Sequence, residues 1–140
     1  MNYSSSREIY WLALTCAMTG LMWLPYIINR LREQGFAQAL YDPDGHTATR
    51  VNWAERMMRA HANAVENLAV FAPLTISVVL LGAGNATTAL ACEAYFIARL
   101  VHYVVFTLGL PYVRIIAFTA GVIAMLVLFV ELLRAMTPGF

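Results

Sequence analysis

A long run without charge opens this chain and most limits what it can fold into. Residues 9–29, IYWLALTCAMTGLMWLPYIIN, lie between Glu8 and Arg30 and hold no charged side chain. At about 1.5 Å of rise per residue, an α-helix of this length crosses the roughly 30 Å hydrocarbon core of a bilayer. Pro25 predicts a kink near the end of that helix. The run therefore predicts a membrane-spanning helix.

Three further apolar segments predict three more spans. The segment GAGNATT separates the second span from the third, and the Gly/Pro turn GLPYVR separates the third from the fourth. Helices joined by short connections pack side by side and antiparallel. We therefore predict an all-α membrane protein, a single domain that forms a four-transmembrane-helix antiparallel bundle. Its predicted spans are residues 9–29, 60–82, 88–109 and 115–133 of the chain 1–140.

The composition agrees with a bilayer as the solvent. The chain is 61% hydrophobic and 12% charged, whereas a soluble domain is about 25% charged. The formal net charge is only +1, so the chain lacks the excess positive charge that a nucleic-acid-binding protein carries. The N-terminal segment MNYSSSREIYW has neither the basic region nor the cleavage site of a signal peptide, so we expect it to be retained.

Arginine placement predicts how the bundle is oriented. The connection between spans one and two, with its borders, holds most arginines; the three–four connection holds Arg114, and the two–three connection holds none. Arginine-rich connections stay in the cytoplasm, so both of these connections are expected there and both termini outside.

Polar residues form a stripe where the second span opens, in RMMRAHANAVEN. At about 100° per residue, the stripe occupies one face of the helix, while His61 points elsewhere and is expected to be structural. A second polar face lies on the third span. The first face holds Arg56, Arg59, Asn63, Glu66 and Asn67, and the second holds Arg99, His102, Tyr103 and Phe106.

An isolated ionisable group inside a bilayer is unfavourable by several kcal/mol, so we expect the two faces to meet each other or a wet cavity. Glu66 is the expected partner of Arg99 or Arg59, with Asn63 able to bridge. Such a gathering of cations and amides favours an anion with more than one carboxylate. Two alternatives stay open: polar contacts that only hold helices together, and arginines that extend to the headgroups.

Cysteine and metal chemistry have little support in this sequence. Cys16 and Cys92 lie in apolar runs, and we expect both to be small core residues. His46 with Asp42 and Asp44 is a weak metal pattern in a turn, so we expect no metal site.

The spacing R-x-x-R-A-H-x-N-x-x-E-N, followed by A-R-x-x-H and L-P-x-x-R, resembles the MAPEG family of membrane-associated proteins in eicosanoid and glutathione metabolism. The segment NRLREQGFA at residues 29–37 resembles the end of that family's first helix. The resemblance covers nearly the whole chain and includes the microsomal glutathione transferases. It implies a homotrimer, in a bacterial inner (cell) membrane, that binds glutathione between neighbouring subunits near the cytoplasmic side.

The resemblance also implies a site and an activity. The activity is a glutathione-dependent transferase or peroxidase for hydrophobic small molecules, in which cations lower the pKa of the glutathione thiol. Arg114 and Tyr103 are the candidates for catalysis. The candidates for holding glutathione are Arg30, Arg59, Asn63, Glu66, Arg99 and His102.

Departures from the family pattern keep a second hypothesis open. Phe106 stands where several active members have Tyr, which favours a catalytically weak or non-enzymatic binder of a thiol or lipid ligand. Ala62 and Ile115 replace an Arg and a Ser of eicosanoid enzymes, so we do not expect prostaglandin isomerisation. A small four-helix multidrug exporter ranks last, because such a transporter needs a carboxylate in its first span and residues 9–29 hold none.

Overall fold

A computed structural model describes residues 6–41 and 49–137 of the chain. Within those residues it contains α-helices and no strand. The helices are α1 (Arg7–Leu21), α2 (Leu24–Gln34), α3 (Phe36–Leu40), α4 (Asn52–Leu80), α5 (Ala86–Leu108) and α6 (Pro111–Met136).

Four helical segments are long and apolar enough to cross a membrane. They are Arg7–Gln34, which joins α1 and α2, then α4, α5 and α6. Large apolar side chains cover the outside of the bundle, as expected of a surface that faces lipid. The prediction of a four-helix membrane fold is confirmed.

The first span is interrupted at Met22 and Trp23, between α1 and α2. Pro25 lies in the first turn of α2 and has no N–H to donate to the carbonyl one turn earlier. The predicted kink is therefore present, but the helix breaks at Met22, before the proline. A proline disrupts the turn that precedes it, which explains the displacement.

The helix of the second span begins at Asn52, well before residue 60. Arg56, Arg59 and Asn63 therefore belong to one continuous helix, and the polar stripe runs without a break into the membrane. Pro73 lies inside α4 without ending it. Neighbouring helices can support such an interruption in a transmembrane bundle.

Local capping sets both ends of α5. The Asn85 side-chain oxygen accepts hydrogen bonds from the backbone N–H of Thr87 and Thr88, and the Thr88 hydroxyl oxygen accepts one from the Asn85 N–H. This reciprocal capping box satisfies N–H groups that have no partner within the helix. Gly109 ends the helix at φ +78°, a left-handed conformation that favours glycine.

The last helix starts at Pro111, before residue 115, where the predicted fourth span begins. Proline suits the first turn of a helix, because its fixed φ is helical and its missing N–H would have had no partner there. Arg114 therefore lies in the first turn of α6, not in the connection. The helix then gives its side chain a defined direction.

The core lies where α5 packs against α1, α4 and α6. Its centre is a stacked pair, Phe71 and Tyr95, with ring centroids 3.8 Å apart and planes 9° apart. Cys92 is buried beside them, whereas Cys16 is exposed on the outer surface. The prediction that both cysteines are core residues was wrong for Cys16, because hydrophobicity does not distinguish a lipid-facing side chain from a core one.

Candidate functional site

A buried arginine occupies the middle of α5. Arg99 is only 2% exposed. Its Nη1 donates to Asn63 Oδ1 and its Nη2 to Asn67 Oδ1, each at 3.1 Å. Both asparagines lie on α4, one turn apart. The stripe of α4 and the polar face of α5 therefore meet through amides.

Aromatic rings flank the same guanidinium. Its Cζ atom lies 5.3 Å from the centroid of the Tyr95 ring and 5.2 Å from that of the Phe118 ring. These distances allow cation–π attraction, which is strongest where water is excluded. The rings hold the charge where the bilayer would otherwise disfavour it.

Gly121 on α6 provides the space for this guanidinium. A Cβ atom at that position would lie 2.9 Å from Arg99 Nη2 and 3.0 Å from Nε. Such distances are too short for an undisturbed contact, so any larger residue must displace the arginine. Gly121 is thus a packing requirement of the buried charge.

Glu66 does not pair with Arg99 or with Arg59, so the predicted ion pair was wrong. Among residues 6–41 and 49–137, no carboxylate pairs with Arg99, and its Nε has no hydrogen-bond partner. Arg59 instead bonds Glu55, at 2.6 Å on an exposed surface. Glu66 is itself exposed on α4. Helical periodicity could not make this distinction, because Glu66 and the asparagines share one broad face.

A cavity of about 230 Å³ lies beside the buried arginine, between α4, α5 and α6. The Arg114 guanidinium stands over the Phe106 ring, 4.4 Å from its centroid. The His102 ring meets the Phe106 ring edge-on, with centroids 5.5 Å apart. None of the lining residues is acidic; they are Asn63, His102, Phe106, Arg114, Ile115 and Phe118.

The structure thus brings together three of the predicted site residues at this cavity: Asn63, His102 and Arg114. Arg99 lies behind Asn63 and is not part of the cavity lining. Arg30 lies on α2, where its Nε donates to Gln34 Oε1 at 3.3 Å.

Tyr103 does not join this cluster. Its hydroxyl donates to the Met22 carbonyl at 2.7 Å, at the interruption of the first span. That carbonyl lies where the helix is broken, so the hydroxyl provides a hydrogen bond between α5 and the first span. This bond, away from the cavity, conflicts with the catalytic role predicted for Tyr103.

His61 also has a structural environment, as its direction on the helix predicted. Its Nδ1 lies 2.8 Å from the Tyr26 hydroxyl on α2. The pair connects the second half of the first span to α4.

Sequence reasoning missed three contributors to the site. Asn67 was part of the stripe, and its spacing of four residues from Asn63 could have identified it as a second amide on one face. Phe118 and Gly121 lie in an apolar span in which nothing in the sequence marks them. Their roles depend on α6 packing against Arg99.

No group of three metal-ligating side chains is present in the described ranges 6–41 and 49–137. The weak pattern of Asp42, Asp44 and His46 falls outside those ranges.

The four apolar spans and the polar cluster between them define a multi-pass integral membrane protein with charged and amide groups inside its helical bundle. The model of the MAPEG family matches residues 9–134, and the chain belongs to that family. No curated protein and no solved structure matches this chain significantly.

Proposed function

We propose that this protein is a membrane-embedded, glutathione-dependent transferase or peroxidase that acts on lipophilic electrophiles by thiolate activation. The observation that carries the proposal is the cavity lined by Asn63, His102 and Arg114 with no acidic residue. Membership of the MAPEG family is consistent with this class of activity.

The polar lining fits an anionic ligand. Arg114 offers only donors, and the Asn63 amide nitrogen and the His102 ring can add further ones. A guanidinium can bind a carboxylate or a thiolate with charge-assisted hydrogen bonds. Glutathione carries two carboxylates and one thiol, which are the groups that such a lining attracts.

Bound glutathione supplies the nucleophilic sulfur, and we assign its activation to Arg114. A nearby cation favours the ionised form of a thiol, which lowers the pKa of the ligand's thiol and raises its nucleophilic fraction. The remaining lining is apolar and aromatic: Phe106, Ile115 and Phe118. These side chains exclude water and offer a lipophilic electrophile a surface next to the sulfur.

We also propose that the complete site forms between subunits of a homotrimer. The cavity in one chain, about 230 Å³, is smaller than the roughly 300–1,000 Å³ typical of ligand pockets. Glu66 is exposed on the membrane-spanning part of α4, where an uncovered carboxylate is unfavourable. A neighbouring subunit would cover it and supply the missing wall; the number three comes from the family resemblance.

We assign three further residues to the proposed glutathione site: Arg59, Glu66 and Arg30. Arg59 and Glu66 are exposed on α4, where a neighbouring subunit of the proposed trimer would reach them, and Arg30 lies on α2, which packs against α4. Glu66 could receive the ligand's ammonium group, while the arginines could receive its carboxylates. We place the protein in a bacterial inner membrane, with the arginine-rich end on the cytoplasmic side.

Glutathione titration into protein held in lipid nanodiscs tests the proposal, together with turnover of a lipophilic chloronitrobenzene and a fatty-acid hydroperoxide. We expect Arg114→Ala to weaken binding by about tenfold or more, because a hydrogen bond to a charged group contributes roughly 1.5–3 kcal/mol. The matched control is Arg134→Ala, since Arg134 pairs with Glu131 at the opposite end of the bundle. Wild-type protein that binds no glutathione would overturn the proposal.

A second candidate function is a non-catalytic binder of a thiol or lipid ligand. It is favoured by Phe106, whose ring lies directly against the Arg114 guanidinium and brings no hydroxyl to the cavity. Under this alternative, the wild type binds glutathione without turnover and Phe106→Tyr gains turnover. Conjugation by the wild type at rates well above the uncatalysed reaction excludes it.

A further inference from the structure

We propose that Arg99 is a positioning residue that acts through Asn63: it fixes the asparagine amide so that the cavity presents donors, and thereby selects an anionic ligand. The inference rests on the proposed function, and it gives Arg99 a role different from direct contact with glutathione.

Arg99 is separated from the cavity. It is almost fully buried and is not part of the cavity lining, whereas Asn63 belongs to that lining. Asn63 Oδ1 is the acceptor for Arg99 Nη1, so the amide stands between the guanidinium and the cavity. Asn63 is the lining residue that Arg99 bonds, so an effect of Arg99 that is transmitted by hydrogen bonds to a ligand there passes through Asn63.

The chemistry of the guanidinium determines which way the amide points. A guanidinium has only donors, so the amide group that faces it must be the oxygen. The oxygen and nitrogen of an amide lie on opposite sides of the group, and Asn63 Nδ2 is therefore turned away from Arg99. Asn63 Nδ2 has no protein partner among residues 6–41 and 49–137 and is available to a ligand.

The hydrogen bonds of Asn67 fix the orientation of a second amide beside Arg99. Its Oδ1 accepts from Arg99 Nη2 at 3.1 Å, while its Nδ2 donates to the Asn63 backbone carbonyl at 2.8 Å. Rotating this amide by half a turn would face donors with donors and acceptors with acceptors. Both asparagines are thus held in one orientation by the same guanidinium.

Packing prevents the guanidinium from moving to other partners. Tyr95 and Phe118 flank it, and the missing side chain of Gly121 leaves space for the guanidinium alone. The Arg99 guanidinium is therefore held in one position, and the two asparagine amides are oriented by it. If the amide of Asn63 were reversed, its oxygen would face the ligand and repel a carboxylate or thiolate.

The test is a double-mutant cycle on Arg99→Met and Asn63→Ala, read as affinity for S-hexylglutathione, an unreactive analogue, in lipid nanodiscs. We expect Arg99→Met alone to weaken binding by about tenfold, the loss of one hydrogen bond to a charged ligand. In the Asn63→Ala background the same substitution should change affinity by less than about twofold, because the coupled partner is absent.

A second variant perturbs Arg99 without removing its charge. Gly121→Ala pushes a Cβ atom into the guanidinium, so it should weaken binding as Arg99→Met does, and again only when Asn63 is present. Gly20→Ala is its control, since no neighbouring atom lies within 4 Å of a Cβ atom at that position. This variant keeps the test decisive even where Arg99→Met does not assemble.

Steady-state kinetics add a readout that a purely structural role does not move. Misorienting Asn63 should raise the KM for glutathione while leaving the KM for the electrophile unchanged, and Arg99→Lys should recover part of the loss. The inference alone is overturned if the wild type binds the analogue and the effects of Arg99→Met and Asn63→Ala add, or if neither Arg99→Met nor Gly121→Ala changes affinity. A wild type that binds no glutathione or analogue overturns the proposed function and this inference together.

Discussion

Arg56 on α4 caps the C-terminus of α5 by donating from its Nε to the carbonyl of Thr107 at 2.9 Å. A cation at a helix C-terminus is favourable because the last carbonyls have no partner within the helix and carry a partial negative charge. The same guanidinium packs on Gly109, where a Cβ atom would lie 3.3 Å from its Nε. The contact connects α4 to the turn that precedes Arg114, and so it positions one wall of the cavity.

We expect Gly109→Ala to destabilise the protein by about 1–2 kcal/mol, because φ at this position is +78° and a left-handed conformation is strained for alanine. The measurement is unfolding in mixed micelles by SDS titration. Gly20→Ala serves as the control, since Gly20 has no such φ and open space around it. Equal stability of the two variants would contradict the assignment of strain to Gly109.

We expect Glu8→Ala to destabilise the bundle by about 1–3 kcal/mol, the effect of removing a buried carboxylate that accepts two hydrogen bonds. Glu8 is buried where α1 and α5 begin; its Oε1 accepts from the Thr88 hydroxyl at 2.6 Å and its Oε2 from the Ser6 hydroxyl at 2.9 Å. Arg7→Ala is the matched control. Arg7 forms a 3.4 Å pair with Glu93 that is largely exposed, and its loss should change stability by less than about 1 kcal/mol.

Thermal unfolding of Glu8→Ala and Arg7→Ala in one detergent shows which of the two contacts stabilises the start of α1 against α5. A larger loss for Arg7→Ala than for Glu8→Ala would show that the exposed ion pair, and not the buried carboxylate, holds the start of α1 against α5.

We expect Tyr26→Phe to lower stability by about 1 kcal/mol, the net contribution of one hydrogen bond, while leaving glutathione affinity unchanged. The variant removes the 2.8 Å contact between the Tyr26 hydroxyl and His61 Nδ1 and preserves the ring. Its control is Tyr112→Phe, because Tyr112 is strongly exposed. Isothermal titration with glutathione, beside an unfolding curve, measures both quantities. A loss of affinity in Tyr26→Phe without a loss of stability would give His61 a role at the ligand site.

We expect Glu66→Gln to weaken glutathione binding by about tenfold, with little change in the stability of the subunit, if Glu66 receives the ligand's ammonium group. Glu66 is exposed and makes no hydrogen bond or ion pair within the described part of the chain, so its removal breaks no contact inside one subunit. Glu93→Gln is the control, because Glu93 is a carboxylate that pairs with the exposed Arg7 at the start of α1, away from the proposed ligand site.

Native mass spectrometry of the same samples reports whether Glu66→Gln changes the oligomer. Unchanged affinity in Glu66→Gln, with the trimer intact, would remove Glu66 from the ligand site.

The membrane fold could be predicted because its signals are local. Uncharged runs long enough to span a bilayer are a property of consecutive residues, and the capping and turn residues Asn85, Gly109 and Pro111 act on their immediate neighbours. Even there, α4 and α6 start before the spans predicted for them. The boundary of a helix depends on capping and packing as well as on hydrophobicity.

The partner of Arg99 could not be predicted, because it depends on distances between helices. Periodicity placed Asn63, Glu66 and Asn67 on one face, and charge favoured the carboxylate as the partner. The structure has Arg99 bonded to the two amides, while Glu66 is turned outward. A rotation of α4 about its axis by roughly 100°, the angle between consecutive residues, is enough to exchange the inward asparagines with the outward Glu66. Sequence periodicity does not resolve such a rotation.

The sequence by itself determined that the chain crosses a membrane four times, that its polar stripe residues lie on α4 and α5, and that it resembles the MAPEG family. Length, hydrophobicity and motif spacing depend only on the order of residues along the chain. Only the tertiary structure decided which polar atoms touch. The direction of the Asn63 amide, the space left by Gly121 and the position of the Tyr103 hydroxyl on Met22 depend on how the four spans pack. Hydrogen bonds act over about 3 Å, and only packed helices bring residues this far apart in sequence to that distance.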